Sequence, residues 1–337
     1  VTTVAAFRLL ITDRFDLDAL ALLKGDHAVE VAQSGAPKPT PEELAQTEGL
    51  IIRSRTKIDR ALLEQAPALK LIITATSGFD HIDLEATSER GLTVMFTPEA
   101  NAASAAELTW ALVLACARRV PEAHRAVKAG DWRREALLGR ELAGKTYGVI
   151  GLGRIGTRVA RFAQAFGMKV VAFDPYKDDS HFEKARASRM ALDELLRLAD
   201  FASLHVPATP ETRHMLSSLH LQNANPGLIL INTSRGSALH EPVLIEALEK
   251  NWIAGCGLDV FEKEPLSRQS ALTSLSGVVL SPHIGATTGE AFAAASLEAA
   301  EKALRFAKAG LKSDCLPPME EWYQQGFQKK SGRADEG

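Results

Sequence analysis

Short apolar runs alternate with longer segments in which apolar residues recur every three to four positions. Runs of four to seven apolar residues bounded by polar, Gly or Pro positions read as buried strands, and the 3.6-residue period between them reads as amphipathic helix. In the first hundred residues this pattern predicts strands at 7–11 (FRLLI), 28–32 (AVEVA), 49–53 (GLIIR), 69–75 (LKLIITA) and 92–96 (LTVMF). Helical patterns lie between them, such as DRALLEQA, where Asp59 can cap the start and Pro67 enforces the stop. A second series predicts strands at 146–150 (TYGVI), 169–173 (KVVAF), 200–206 (DFASLHV), 227–232 (GLILIN), 254–260 (AGCGLDV) and 277–281 (GVVLS).

Alternating strands and helices in two series predict an α/β protein of two doubly wound parallel-sheet domains, with a cleft between them. The segment from Asn101 to Val120 is apolar on more than one face, which predicts a helix buried between domains or between subunits. Its counterpart, GEAFAAASLEAAEKALRFAKAG, follows the last strand and is long enough to carry the chain back to the first domain. The expected organisation is therefore a discontinuous domain of 1–98 plus 288–315, a second domain of 99–287, and a partly disordered tail at 316–337 that contains Pro-Pro and ends in a polar run.

Composition narrows the class. With 337 residues, 46% hydrophobic, 24% charged and a net charge of −3, the chain has ample length for two cores and no electrostatic footprint for nucleic acid or a membrane surface. Cys116, Cys256 and Cys315 are odd in number and widely spaced, which argues against a disulfide framework and a cysteine zinc site. The N-terminal stretch VTTVAAFRLLITDRFD lacks the regions of a signal peptide, so a cytoplasmic location is expected.

GLGRIG, Gly151 to Gly156, follows the TYGVI strand and opens the helical pattern TRVARFAQAFGM. In that context Gly151 permits the tight turn, Gly153 lets backbone approach a pyrophosphate, and Gly156 allows close helix–strand packing. The helix N-terminus would face the phosphates with free N–H groups. Asp174, at the end of the next strand and roughly 20 residues on, can accept hydrogen bonds from ribose hydroxyls. These features favour NAD, because a further phosphate on that ribose would meet the carboxylate, and PYKDD offers one lysine beside two acids.

Three later segments place ionisable groups just past predicted strands, where the loops of a parallel sheet line a ligand crevice. They are INTSRGSALHE with Arg235, GLDVFEKEP with Asp259 and Glu264, and LSPHIGATT with His283. Each alone has a plainer reading: a strand-end salt bridge, a turn residue, a solvated charge, a buried structural histidine. A metal at His283 is disfavoured, since no second His or Cys stands nearby at ligand spacing.

From about Leu50 to Lys308 the chain resembles the D-isomer-specific 2-hydroxyacid dehydrogenases, and within them the D-3-phosphoglycerate dehydrogenases. The resemblance rests on those segments together with GLIIRSRTKID, TPEANAASAAELTWALVLACAR, LAGKTYGVIGLGRIGTRVARFAQAFGMKVVAFDP, LHVPATPETRHML and INTSRGSALHEPVLIEAL. It implies a Rossmann-type NAD domain, a smaller flavodoxin-like substrate domain and a homodimer. It also implies oxidation of D-3-phosphoglycerate at the entry to serine biosynthesis, with His283 as proton donor or acceptor, Glu264 bonded to it and Arg235 holding the substrate. Arg154, Ile155, Val206, Thr212, Thr233, Ser234 and Arg235 would touch the dinucleotide, Asp259 would hold its carboxamide, and Gly285 would lie near the nicotinamide.

The chemistry gives each type a reason. Reduction of a 2-oxo acid needs hydride at carbon and a proton at oxygen, and imidazole exchanges protons near neutral pH. A carboxylate beside it favours the imidazolium and fixes which nitrogen faces substrate. Arginine offers a permanently charged fork of donors to a carboxylate.

For the substrate's other end, Arg53, Arg55 and Lys57 alternate in RSRTKID, so on an extended segment all three could point to one side and bind phosphate. The resemblance implies that Arg53, Ser54 and Arg55 serve this task, with help from Arg133 and Arg134, and that backbone around Ser77 and Gly78 holds the substrate carboxylate. Thr74 departs from those relatives that carry arginine there, which keeps glyoxylate or hydroxypyruvate reduction as the alternative. A second alternative is an NAD-sensing scaffold like the corepressors that share this fold. The stretch after Leu311 is too short for the C-terminal regulatory domain of serine-sensitive relatives, so feedback control through one is not expected.

Overall fold

A computed structural model describes residues 6–34 and 36–328. They form two compact units, one of residues up to 101 with those from 287 onward, the other of residues 102–286.

The first unit is built on five parallel strands, β1 (Phe7–Ile11), β2 (Val29–Gln33), β3 (Gly49–Ile52), β4 (Leu71–Thr74) and β5 (Thr93–Phe96), in the order β2-β1-β3-β4-β5. Strands covered on both faces read as continuous apolar runs, and β3 and β4 are buried along their whole length. One face packs Leu9, Ile11, Ile51 and Ile73 against the Gly289–Ala309 helix through Ala295, Ala299 and Ala303. These small residues recur every fourth position, so one helical face can lie close to the sheet. The other face buries Leu10, Leu50, Ile52 and Ile72 with Leu44 and Leu63.

The second unit has seven parallel strands: β6 (Thr146–Ile150), β7 (Lys169–Phe173), β8 (Ser188–Arg189), β9 (Phe201–Leu204), β10 (Ile229–Asn232), β11 (Gly255–Leu258) and β12 (Val278–Leu280). Their order is β12-β11-β10-β9-β6-β7-β8. Strand order reverses between β6 and β9, and in the first unit between β1 and β3; loops at such points line ligand crevices in open α/β sheets.

Three details go beyond these expectations. The helix expected between domains or subunits runs Ala102–Arg118 and packs inside its own unit, on β10, β11, β12 and the Arg154–Ala165 helix. Trp110 anchors it, stacked on Tyr147 at 5.3 Å and Phe166 at 4.8 Å. Strand β8 was not predicted, because two exposed residues leave no apolar run to read. In the tail, Glu321–Gln328 is helical, and the disorder expected beyond it falls outside the described residues. Among the described residues no helix is long and apolar enough to cross a membrane.

Candidate active site

The loop after β6 turns at Gly151, whose φ of +93° suits glycine; a Cβ there would meet the His205 carbonyl oxygen at 2.5 Å. Gly156 is needed for proximity, since its Cβ would come to 2.0 Å from the Gly151 carbonyl oxygen. Gly153 is different: its Cβ would stand in open space, so nothing within the chain requires glycine there. That opening, at the N-terminus of the Arg154–Ala165 helix, fits a pyrophosphate against backbone N–H groups. Arg154 is exposed, and Ile155 is half-buried against the core. Asp174 does more than end β7: its carboxylate accepts from Leu152 N at 2.8 Å and Tyr176 N at 2.9 Å, holding the glycine loop. It also lines a recess of about 320 Å³ with Phe173, Arg189, Met190, Ala191 and Glu194, fit for an adenosine end.

The loop after β9 carries half-buried Val206 and a turn in which Thr212 Oγ1 donates to Pro207 O at 2.6 Å. After β10, Asn232 is buried and organises the next three residues: Oδ1 accepts from Ser234 N and Oγ, and Nδ2 donates to Arg235 O at 2.9 Å. The Thr233 hydroxyl is bonded to Thr109 at 2.7 Å. Arg235 emerges from this clamp half-buried, with one guanidinium nitrogen donating to Ser234 O at 2.7 Å. Gly236 lies flat on the next loop, where a Cβ would overlap the Phe261 carbonyl at 1.9 Å.

That next loop, after β11, brings Glu264 to His283: Oε2 lies 2.7 Å from Nδ1, while Oε1 accepts from Phe261 N at 3.1 Å. His283 sits at φ +54° just past β12, with its N–H donated to Asp259 O at 2.8 Å. Asp259, expected at the carboxamide, is fully buried and engaged with this loop. Oδ1 accepts from Ser281 Oγ at 2.6 Å and Ile284 N at 2.9 Å, and Oδ2 from Gly285 N at 2.8 Å. A buried carboxylate is tolerated only with such donors. Gly285 is correspondingly close: its Cβ would stand 3.3 Å from Oδ2. Glu264 and His283 border a cavity of about 610 Å³ with Phe261, Pro265, Leu266, Leu280, Ser281 and Pro282.

In the first unit, residues 53–57 form a turn closed by Thr56 N donating to Arg53 O at 3.2 Å, which corrects the extended segment assumed for the three basic residues. Asp13 supports the turn by accepting from Arg53 N and Thr56 Oγ1, each at 3.1 Å, and the Thr56 hydroxyl also reaches Pro37 O at 2.8 Å. Ser54, Arg55 and Lys57 are exposed. Arg53 is half-buried, its guanidinium carbon 4.9 Å from the centre of the Phe292 ring, and its Nη1 is buried without a hydrogen-bond partner among the described residues. Burial lowers its pKa from the ordinary value, partly countered by Asp13. Arg14 approaches the same ring at 5.9 Å. Ser77 and Gly78 are half-buried in the loop after β4, where Thr76 Oγ1 donates to Gly78 O at 2.7 Å. Arg133 is exposed and paired with Asp131 at 2.6 Å; Arg134 is also exposed.

Sequence reasoning passed over Asn232, Asp13, Phe292 and Ser281; the only local signal was an Asn or Asp directly after an apolar strand. It also passed over His205, whose Nε2 lies 2.7 Å from Ser203 Oγ, itself bonded to Tyr147 at 2.9 Å. Burial pushes this imidazole down to about 3. Burial pushes the Cys116 thiol up to about 12 and raises Cys256 as well, so neither is a ready nucleophile.

Comparison with known proteins finds that the family described as "D-isomer specific 2-hydroxyacid dehydrogenase, NAD binding domain" matches residues 110–285. A D-3-phosphoglycerate dehydrogenase of Methanocaldococcus jannaschii is 40% identical over 296 residues, 88% of this chain but 56% of that protein. A hydroxypyruvate reductase of Thermotoga maritima is 39% identical over 302 residues, 89% of this chain and 98% of that one. Among solved structures, D-lactate dehydrogenase of Aquifex aeolicus, complexed with NAD and lactic acid, is similar at a TM-score of 0.79 and 32% identity, over 89% of this chain and 95% of that one. The chain thus spans little more than half of the first relative and nearly the whole of the others.

Proposed function

Because the chain belongs to the D-isomer specific 2-hydroxyacid dehydrogenases, we propose that it interconverts a D-2-hydroxy acid and its 2-oxo acid with NAD, by a proton relay through His283 and Glu264. The observation that carries this reading is the 2.7 Å contact between His283 Nδ1 and Glu264 Oε2, on a loop that also packs against the Arg235 turn. Bound NAD would supply the hydride acceptor or donor, held by Gly151, Gly153, Gly156 and Asp174. With Nδ1 committed to the carboxylate, Nε2 is the nitrogen left to take the hydroxyl proton as the C2 hydride departs. Glu264 then stabilises the imidazolium, and in reduction the same nitrogen returns the proton to the carbonyl oxygen. The Arg235 guanidinium holds the substrate carboxylate through paired donors and polarises the carbonyl. Asp259 and Asn232 are positioning residues: one fixes the histidine loop, the other the arginine loop.

The substrate we assign is one with a second anionic group, with 3-phosphoglycerate as the leading candidate. Support comes from Arg53, whose Nη1 lacks a hydrogen-bond partner among the described residues, and from Arg14, whose guanidinium approaches the same Phe292 ring. A second reading, hydroxypyruvate or glyoxylate reduction, is favoured by the near-complete match to the Thermotoga maritima enzyme. NADH consumption with 3-phosphohydroxypyruvate, hydroxypyruvate and glyoxylate separates them. The leading reading expects the highest kcat/KM with the phosphorylated acid, and Arg53→Ala reducing that value about 100-fold more than the other two. Equal losses on all three would remove the phosphate assignment. NADH binding without turnover of any short 2-oxo acid would contradict the enzyme reading and leave a dinucleotide-sensing scaffold.

A further inference from the structure

Three loops of the second unit converge on a side-chain cluster that the relay does not use. His214 belongs to the loop after β9, His240 precedes the Glu241–Glu249 helix, and Glu262 follows β11. His214 Nε2 lies 2.5 Å from Glu262 Oε1, and the two imidazole rings are 4.6 Å apart, centre to centre, inclined at 42°. One ligand atom from each of the three falls within 4.8 Å of the others. We propose that His214, His240 and Glu262 bind one divalent transition-metal ion of the zinc class.

Chemistry selects the ion. Two imidazole nitrogens and one carboxylate oxygen suit borderline cations such as Zn²⁺, Co²⁺ or Ni²⁺, whereas Mg²⁺ and Ca²⁺ require all-oxygen shells. Zinc bound by this set would keep a fourth position for water. At Zn–N and Zn–O distances near 2.0–2.1 Å, neighbouring ligand atoms of a tetrahedron stand roughly 3.4 Å apart, so modest side-chain rotation closes the cluster.

The surroundings are built to hold these ligands. His214 N donates to Ser237 O at 2.8 Å, and Met215 N to Ala238 O at 3.1 Å, which ties the first loop to the second. Glu241 N donates to Glu262 Oε2 at 2.9 Å while Glu262 N donates to Glu241 Oε1 at 2.7 Å, which ties the helix start to the third. The remaining carboxylate oxygen, Oε1, is the one aimed at His214. Side-chain exposures of 31% for His214 and 26% for Glu262 leave a path for an ion. An ion here would fasten the loop that carries Glu264 two residues further on.

The test is metal content of untagged, chelator-stripped protein after equilibrium dialysis against micromolar Zn²⁺. About one ion per chain is expected, with affinity at least tenfold weaker in each of His214→Ala and His240→Ala and unchanged in His283→Ala. Zinc should also raise the Tm of the wild type and not of those two variants. If a variant does not fold, the wild type decides alone: Co²⁺ should give the intense visible bands of a four- or five-coordinate site, saturating near one equivalent and bleached by Zn²⁺. No retained zinc, binding undiminished in both His variants, binding lost with His283→Ala, or absent cobalt bands would each overturn the proposal.

Discussion

The two units solve the same problem in different ways. Each is a parallel sheet whose strand order reverses once, and each presents its loops at the carboxyl ends of the strands next to that reversal. In the second unit polar side chains hold the loops: half-buried Asp174 the glycine turn, and fully buried Asn232 and Asp259 the arginine and histidine turns. In the first unit the half-buried carboxylate of Asp13 bonds the turn after β3 at its edge, and the guanidinium beyond it rests on an aromatic ring with one nitrogen unpaired among the described residues. Proton transfer requires reacting groups fixed to a fraction of an ångström, whereas capture of an anion tolerates a side chain that moves to meet it. On the proposed function, the difference separates positioning chemistry from recognition chemistry.

The largest effect should come from Asp259→Ala. It strands a serine hydroxyl and two backbone N–H groups, each costing at least about 1 kcal/mol, so a loss of at least about 3 kcal/mol in urea unfolding is expected. A loss below about 1 kcal/mol would mean that the histidine loop is held by something else. Asp13→Ala strands only Arg53 N, since the Thr56 hydroxyl keeps Pro37 O at 2.8 Å, and should cost only about 1–2 kcal/mol by the same measurement. Equal costs for the two would dissolve the contrast between the units.

A smaller effect concerns pH. The free imidazole takes a proton near 6.5, but the His205 ring does so only at about 3. Between those values the unfolded chain holds more protons, so this histidine's contribution to stability is complete above pH 7 and is lost as pH falls toward 3. Its share of the slope is at most about 1.4 kcal/mol per pH unit. Replacing it by glutamine, which can still reach Ser203, should flatten the Tm profile between pH 6 and 4. An unchanged profile would place the acid sensitivity elsewhere.

Much of this was legible in the sequence because motifs are local. The glycine turn, Arg235, Glu264 and His283 each lie within a few residues of a recognisable strand end, and the alternating pattern located every strand except two-residue β8. What was hidden depends on neighbours that only the sheet brings together. Asp259 reads as a strand-end acid until β11 and β12 are aligned, at Leu258 and Leu280, and its carboxylate is seen to hold residues 281–285. RSRTKID reads as extended until Asp13, forty residues earlier, is seen to support a turn at Thr56. The His214, His240 and Glu262 cluster spans three loops, so no spacing rule could reveal it.

In the proposed function His283, steered by Glu264, moves the proton while the dinucleotide site stands independent of both. Steady-state reduction of the best 2-oxo acid by His283→Ala, with NADH affinity measured on the same sample, tests it most directly. A fall in kcat of about 10²–10⁴-fold is expected, with NADH affinity within twofold of the parent protein. A kcat within tenfold of the parent would contradict it.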